Sequence, residues 1–411
     1  MYGLLGEKLG HSFSPQIHSM LGGYGYRLFE IPPEKLGEFM IKREFEGINV
    51  TIPYKKAVMP FLDEISREAQ KIGSVNTVVK RGEKLIGYNT DYFGFLYMVK
   101  KCKADIQGKK AVVLGSGGAS LTVKAVLGDL GASQIVTVSR SGEDNYENIS
   151  RHYDAQIVVN ATPVGMYPGN LQSAVDIRRF EKAQCVLDIV YNPLKTKLAL
   201  DAEESGIRAL CGLSMLIAQA KAANEIFFGR ELPDEICEKI ENRLVSQTRN
   251  IVLVGMAGCG KTTVGKELAE KTGKRFADTD ETVKTDTGST PEQLITEKGE
   301  EYFRLRETEA VKKVGKEKSS VIATGGGVVT VEENLFPLRQ NGIIVFINRS
   351  AEKLTDSGRP ISQKEGIKSL YEKRMPLYRR FADIEVDGNG SVTQTAQNIL
   401  KEIEKYENTC N

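Results

Sequence analysis

Two glycine-rich turns, each directly behind an apolar, β-branched run, are the stretches of this chain best suited to chemistry. Gly255-Met256-Ala257-Gly258-Cys259-Gly260-Lys261-Thr262 follows Ile251-Val252-Leu253-Val254 and has the spacing of a Walker A phosphate loop. In such a loop, backbone N–H groups cradle phosphates, the lysine neutralises their charge and the hydroxyl ligates Mg²⁺. Lys261 and Thr262 are placed for those tasks. Gly255, Gly258, Cys259, Gly260 and Thr263 would form the rest of an ATP cradle. The second turn, Gly115-Ser116-Gly117-Gly118-Ala119, follows Ala111-Val112-Val113-Leu114. A turn of that form lets the backbone approach a dinucleotide pyrophosphate, which the following helix N-terminus stabilises. Two nucleotide sites of different kinds imply two reactions, one redox and one phosphoryl transfer.

The type of dinucleotide is written a strand later. Units that bind NAD carry a carboxylate at the end of the second strand for the ribose hydroxyls. Here that place holds Ser139-Arg140-Ser141. A guanidinium at Arg140 suits a 2′-phosphate, so NADP is expected over NAD. Glu143 and Asp144 follow closely and would repel that phosphate, which is expected to relax the preference.

These turns need elements to hold them. At 411 residues, the chain is long enough for two to three domains. A formal net charge of +2 offers no general attraction to nucleic acid or anionic membrane. The start, Met1-Tyr2-Gly3-Leu4-Leu5-Gly6-Glu7-Lys8, lacks the pattern of a signal peptide, and no apolar segment is long enough to span a bilayer. Six scattered cysteines without metal-ligand spacing are expected to be reduced, buried thiols in a cytoplasmic protein.

Strand-like and helix-like stretches alternate throughout, which predicts parallel α/β layers. Strands are expected at 47–52, 74–79, 111–114, 134–138, 155–160 and 185–190, with helices at 119–129, 213–228 and 232–244. Further strands are expected at 251–254, 320–324 and 343–347. The polar stretch Val245-Ser246-Gln247-Thr248-Arg249 is read as a linker.

Upstream of the first turn lie His11-Ser12-Phe13-Ser14-Pro15, Asn49-Val50-Thr51-Ile52-Pro53-Tyr54-Lys55, Asn76-Thr77 and Gly87-Tyr88-Asn89-Thr90-Asp91. Downstream come Asn160-Ala161-Thr162-Pro163-Val164-Gly165-Met166, Tyr191-Asn192-Pro193 and Gly212-Leu213-Ser214-Met215-Leu216-Ile217-Ala218-Gln219-Ala220. In this order they resemble shikimate dehydrogenase over residues 1 to 244. The resemblance implies a substrate-binding domain at 1–101, with helices 213–244 packing back on it, and a Rossmann NADP-binding domain at 102–244. It implies Lys55 and Asp91 as the catalytic pair, a chemistry that reducing a ketone requires, since hydride addition needs a proton for the developing alkoxide. Ser12, Ser14, Thr51, Asn76, Asn89, Tyr191 and Gln219 would bind the hydroxyls and carboxylate of the substrate, short neutral groups that suit a polyol acid. His11 and His18 are read as structural, and His152 is placed on the surface.

After the phosphate loop come Phe276-Ala277-Asp278-Thr279-Asp280, Gly299-Glu300-Glu301-Tyr302-Phe303-Arg304-Leu305-Arg306-Glu307 and Thr324-Gly325-Gly326-Gly327. Gly358-Arg359-Pro360 and Arg374-Met375-Pro376-Leu377-Tyr378 follow. This series resembles shikimate kinase across 250–411, a P-loop α/β domain like the nucleoside-monophosphate kinases. The resemblance implies that Asp278 joins Thr262 at the Mg²⁺ through its water shell and that Asp280, catalytic together with the phosphate-loop Lys261, hydrogen-bonds the acceptor hydroxyl and draws off its proton. Arg304 and Arg374, with Gly326 and Gly327, would hold the substrate carboxylate, and Arg359 would belong to a closing lid. Two arginines make a strong carboxylate clamp. The lid segment Ala351–Gly358 is short and has no arginine ahead of Arg359, so fewer positive charges are expected over the phosphates. Cys259, beside Lys261 at a helix start, is expected to be sensitive to alkylation. Both resemblances together imply 3-dehydroshikimate and shikimate as substrates, with NADP(H), ATP and Mg²⁺. The competing reading is an NAD-dependent quinate or shikimate dehydrogenase fused to a kinase for another small alcohol.

Overall fold

Runs of Val, Ile and Leu too apolar for an exposed strand build three sheets, two of them parallel throughout and sealed on both faces. The computed structural model describes residues 1–10, 13–354, 361 and 366–410 and divides the chain into two units, Met1–Leu244 and Val245–Asn411.

The first unit holds two sheets. Strands β1 (Tyr2–Gly6), β2 (Tyr26–Glu30), β3 (Gly47–Val50), β4 (Glu64–Ile65), β5 (Thr77–Arg81) and β6 (Lys84–Tyr88) lie in the order β2-β1-β3-β5-β6-β4. The hairpin β5–β6 is antiparallel, as is β3 against β5, while β1 is parallel to both its neighbours. The second sheet is parallel. Its strands β7 (Lys110–Leu114), β8 (Gln134–Val138), β9 (Ile157–Asn160), β10 (Cys185–Asp188) and β11 (Arg208–Cys211) lie in the order β11-β10-β9-β7-β8. The order reverses beside β7, so a crevice opens past its C-terminal end, where such sheets bind ligands. Helix Leu213–Phe228 returns to pack on helix Asp91–Lys101 and on helix Ser14–Gly22. Gly94 permits that approach, since a Cβ there would lie 2.6 Å from the Met215 carbonyl oxygen.

The second unit is a five-stranded parallel sheet, with β12 (Asn250–Val254), β13 (Arg275–Asp278), β14 (Ser320–Ala323), β15 (Gly342–Asn348) and β16 (Ile384–Asp387) in the order β13-β14-β12-β15-β16. Every residue of β12 is buried, so the phosphate loop that follows is anchored at the centre of the sheet.

Local boundaries differ from expectation where side chains intervene. The strand expected at 47–52 stops at Val50, because Thr51 begins a turn in which Tyr54 N–H donates to the Thr51 carbonyl at 2.9 Å. The strand expected at 74–79 starts only at Thr77, since the Asn76 side chain is tied to Thr90. The stretch 245–249, read as a linker, begins where the two units divide and is mostly helical. Helix Glu235–Thr248 runs through it and β12 begins at Asn250. Its polarity is that of an exposed helix end.

Candidate active sites

In the first unit, a lysine and an aspartate 36 residues apart meet. Lys55 sits in the turn after β3, where its backbone oxygen accepts from Val75 N–H at 2.8 Å and the hydroxyl of the buried Tyr54 beside it donates to the Ile31 carbonyl at 2.5 Å. Asp91 is the first residue of helix Asp91–Lys101. Lys55 Nζ lies 2.5 Å from Asp91 Oδ2, with both side chains partly open to solvent. A cation held by a carboxylate and partly open to solvent can donate a proton to an oxyanion and be oriented while doing so.

Around that pair is a buried polar network. Asn76 Oδ1 accepts from the Thr90 N–H at 2.6 Å and from its hydroxyl at 3.1 Å. Thr90 Oγ1 reaches Gln219 Oε1 at 3.4 Å, and Gln219 is itself braced by its Nε2 donating to the Leu216 carbonyl. Asn89 donates to Ser74 O and Oγ at 2.9 and 3.0 Å, yet its Oδ1 is buried with no donor in reach among the described residues. An orphaned buried acceptor costs about 1–3 kcal/mol unless a ligand hydroxyl meets it. Ser14 lies buried at the start of helix Ser14–Gly22, and Tyr191 packs edge-on against the neighbouring Phe13 with ring centroids 5.9 Å apart. Thr51 stands in the turn between β3 and Lys55. His11 and Ser12 lie outside the described residues. His18 is buried and structural: it bonds Tyr24 OH, stacks on Tyr26, and burial drives its pKa down to about 3.

The dinucleotide turn has the room its motif implies. Gly115 adopts φ +101°, and a Cβ there would strike Thr162 Cγ2 at 2.7 Å, so the turn passes tightly against the end of β9. Gly117 and Gly118 face open space, as a pyrophosphate cradle at a helix N-terminus requires, with Ser116 and Ala119 flanking them. Arg140 is exposed just past β8. Asp144 Oδ1 lies 2.7 Å from His152 Nε2. His152 is 8% exposed rather than on the surface, because a short helical turn folds it under this loop.

In the second unit, Lys261 is buried and donates to the Gly255 and Met256 carbonyls at 2.8 and 3.0 Å, which holds its ammonium inside the loop. Gly258 and Gly260 take φ +87° and +97°. Thr262 Oγ1 donates to Asp278 Oδ2 at 2.9 Å, while Asp278 Oδ1 caps helix Thr279–Thr287 through the Asp280 N–H. A hydroxyl and a carboxylate side by side suit a hard, oxygen-loving cation such as Mg²⁺. Thr263 is exposed on the next position. Cys259, in contrast, is 2% exposed and packed into the core, so it is no target for alkylation.

Asp280 is nearly buried. Burial, with repulsion from Glu307 and Asp278, pushes its pKa up to about 7 against the pull of Lys261 and Arg304. Both Asp280 Oδ1 and Glu307 Oε1 are buried without hydrogen-bond partners among the described residues, and both face Gly325. Arg304 Nη1 donates to Glu307 at 2.6 Å and Nη2 to Glu300 at 2.9 Å, so the expected carboxylate clamp is already engaged by its own helix. Arg374, 7% exposed, donates to the Gly326 carbonyl at 3.2 Å, and Tyr378 OH donates to the same oxygen. Gly327 abuts Arg304 closely enough that a Cβ would fall 2.1 Å from Nη2. Arg359 lies outside the described residues. Positive charge near the loop is not as sparse as the lid sequence suggests, since Arg349 Nη1 lies 3.9 Å from where a Cβ on Gly260 would stand.

Sequence reasoning missed Glu307, Thr90, Tyr378 and Arg349 as parts of these sites. Glu307 carried a signal in its three-residue spacing from Arg304 on one helix, and Thr90 and Tyr378 stand within quoted motifs, whereas Arg349 carried none.

Comparison with known proteins gives the same division. Residues 257–404 match the shikimate kinase family and residues 4–78 the shikimate dehydrogenase substrate binding domain. The chain is 39% identical over 266 residues to shikimate dehydrogenase (NADP(+)) of Clostridium perfringens, covering 59% of this chain and 98% of that protein. Among solved structures, it is similar to a chorismate mutase/shikimate 5-dehydrogenase fusion protein from Clostridium acetobutylicum, 42% identical, TM-score 0.57, covering 59% of this chain and 96% of that one. It is also similar to shikimate 5-dehydrogenase from Thermus thermophilus in complex with NADP(H) and shikimate, 31% identical, TM-score 0.54, covering 59% and 98%. The chain therefore belongs to the shikimate dehydrogenase family and carries a shikimate kinase domain downstream of it, which makes it a bifunctional shikimate-pathway enzyme.

Proposed function

We propose that the first unit reduces the C3 ketone of 3-dehydroshikimate and that the second phosphorylates the hydroxyl made at that carbon. The Lys55–Asp91 contact at 2.5 Å carries the first assignment. Gly115, Ser116, Gly117, Gly118, Ala119 and Arg140 would hold NADPH, which would supply the hydride. Lys55 delivers the proton to the developing alkoxide while Asp91 orients it. Ser12, Ser14, Thr51, Asn76, Asn89, Tyr191 and Gln219 hold the ring, with Asn89 Oδ1 accepting from a substrate hydroxyl.

In the kinase unit, MgATP supplies the γ-phosphoryl group. Lys261 would neutralise phosphate charge, and Thr262 with Asp278 would hold Mg²⁺. Asp280 draws off the hydroxyl proton, a task that suits a group titrating near neutrality. Arg304, Arg374 and the Gly326–Gly327 backbone hold the carboxylate, and Arg359, outside the described residues, is assigned to the phosphates. We assign residues 1–101 to substrate binding, 102–244 to the cofactor and 250–411 to the kinase. A cytoplasmic enzyme fits these two cofactors, and among the described residues no helix is long and apolar enough to cross a membrane.

The test is mass spectrometry of the product after the purified chain meets 3-dehydroshikimate, NADPH and MgATP together. A product both reduced and phosphorylated is expected. Activity with NADH and quinate exceeding that with NADPH and 3-dehydroshikimate would overturn the assignment of the first unit. Reduction without phosphorylation would overturn that of the second.

A further inference from the structure

Two thiols outside both sites touch. Cys102 follows helix Asp91–Lys101 and Cys185 opens β10, 83 residues later, yet their sulfurs lie 3.0 Å apart. A disulfide bond is about 2.05 Å long, so closing the pair requires the sulfurs to approach by about 1 Å. Cys185 is fully buried, whereas Cys102 is partly open to solvent. Access is therefore one-sided: a small reagent reaches Cys102 first and finds Cys185 directly behind it. The other described cysteines, Cys211, Cys237 and Cys259, are each buried.

The electrostatics divide the pair in the same way. The hydrogen bond from Cys185 stabilises a thiolate on Cys102, and the nearby Arg208 guanidinium adds to this. The same contact holds the Cys185 thiol protonated. Arg208 Nη1 also donates to the Cys102 and Lys103 carbonyls at 3.3 and 2.7 Å, which fixes the chain at the end of the helix. A partly accessible sulfur of thiolate character backed by a resolving thiol is the arrangement that forms disulfides readily.

We propose that Cys102 and Cys185 are a modification site at which a low-molecular-weight disulfide converts the dithiol to an intramolecular disulfide. The Cys102 thiolate attacks one sulfur of the reagent RSSR, forming a mixed disulfide and releasing RS⁻. Cys185 gives its proton to solvent and attacks Cys102 Sγ, forming the protein S–S bond and releasing the second RS⁻. The protein loses two electrons and two protons, and RSSR is reduced to two RSH. The bond ties the helix that begins with Asp91 to β10 of the cofactor sheet.

The full chain carrying Cys410→Ser is treated with oxidised glutathione at pH 8, blocked with N-ethylmaleimide and mapped by mass spectrometry without reduction. A peptide linking Cys102 to Cys185 is expected, reversed by dithiothreitol. The melting temperature of the first unit should rise by about 10 °C on closing so long a loop. Cys185→Ser should retain a stable glutathione adduct on Cys102, and Cys102→Ser should show neither link nor adduct at Cys185. A stable adduct on Cys102 in the parent chain, or both thiols still free after unfolding, would overturn the proposal. Should Cys185→Ser fail to fold, the parent map decides alone.

Discussion

Asp280→Asn should make the kinase unit inactive and, above neutral pH, more stable. Asp280 is almost buried, and its pKa rises from 3.8 to about 7 on folding. Each unit of that shift is worth about 1.4 kcal/mol. The folded carboxyl keeps its proton to higher pH than the unfolded one, so folding is unpenalised only below about pH 4. The penalty grows as pH rises and levels off above about 7. An uncharged Asn escapes it. Its advantage should grow from well under about 1 kcal/mol at pH 4 to about 4 kcal/mol at pH 8. For a unit of this size that is about 10 °C in melting temperature at pH 8 and less than about 2 °C at pH 4. Calorimetry of the full chain resolves it, following the transition that MgATP raises. An Asn variant that melted lower than the parent at pH 8, or whose advantage were equal at both pH values, would refute the reasoning. The same group gives the kinase reaction an acid limb: kcat/KM for the acceptor should fall as falling pH protonates Asp280.

Two further predictions concern the other contacts. Lys55→Ala should lower the dehydrogenase kcat by roughly 10²–10⁴-fold through loss of the proton donor, leaving kinase turnover unchanged in the same preparation; an unaltered reduction rate would remove Lys55 from the mechanism. Gly327→Ala places a methyl 2.1 Å from Arg304 Nη2 and should push the guanidinium off its seat. Losing one charge-assisted hydrogen bond, about 1.5–3 kcal/mol, should raise KM for the acceptor acid by roughly 10- to 150-fold with KM for MgATP unmoved, as steady-state kinetics would show.

Much of this molecule was legible before its coordinates. The two glycine turns and the strands before them are local features: glycine spacing sets a backbone path, and an apolar β-branched run can satisfy itself only in a buried strand. The resemblances to the two families came from such short motifs, and the family comparisons agree with them. Pairings between motifs were another matter. Nothing in the residues near Asp144 announces that His152 lies buried beneath it, since a short helical turn makes that contact. Arg304 read alone is a free clamp, and only the helix it occupies sets it against Glu300 and Glu307. Cys102 and Cys185 are brought together by the packing of a helix end on a strand start. Sequence determined which groups exist and how the backbone passes each turn, because those depend on neighbours within a few residues. Tertiary structure alone decided which charges are buried, which acceptors are orphaned and which thiols touch, because those depend on elements that meet across sheets from distant parts of the chain.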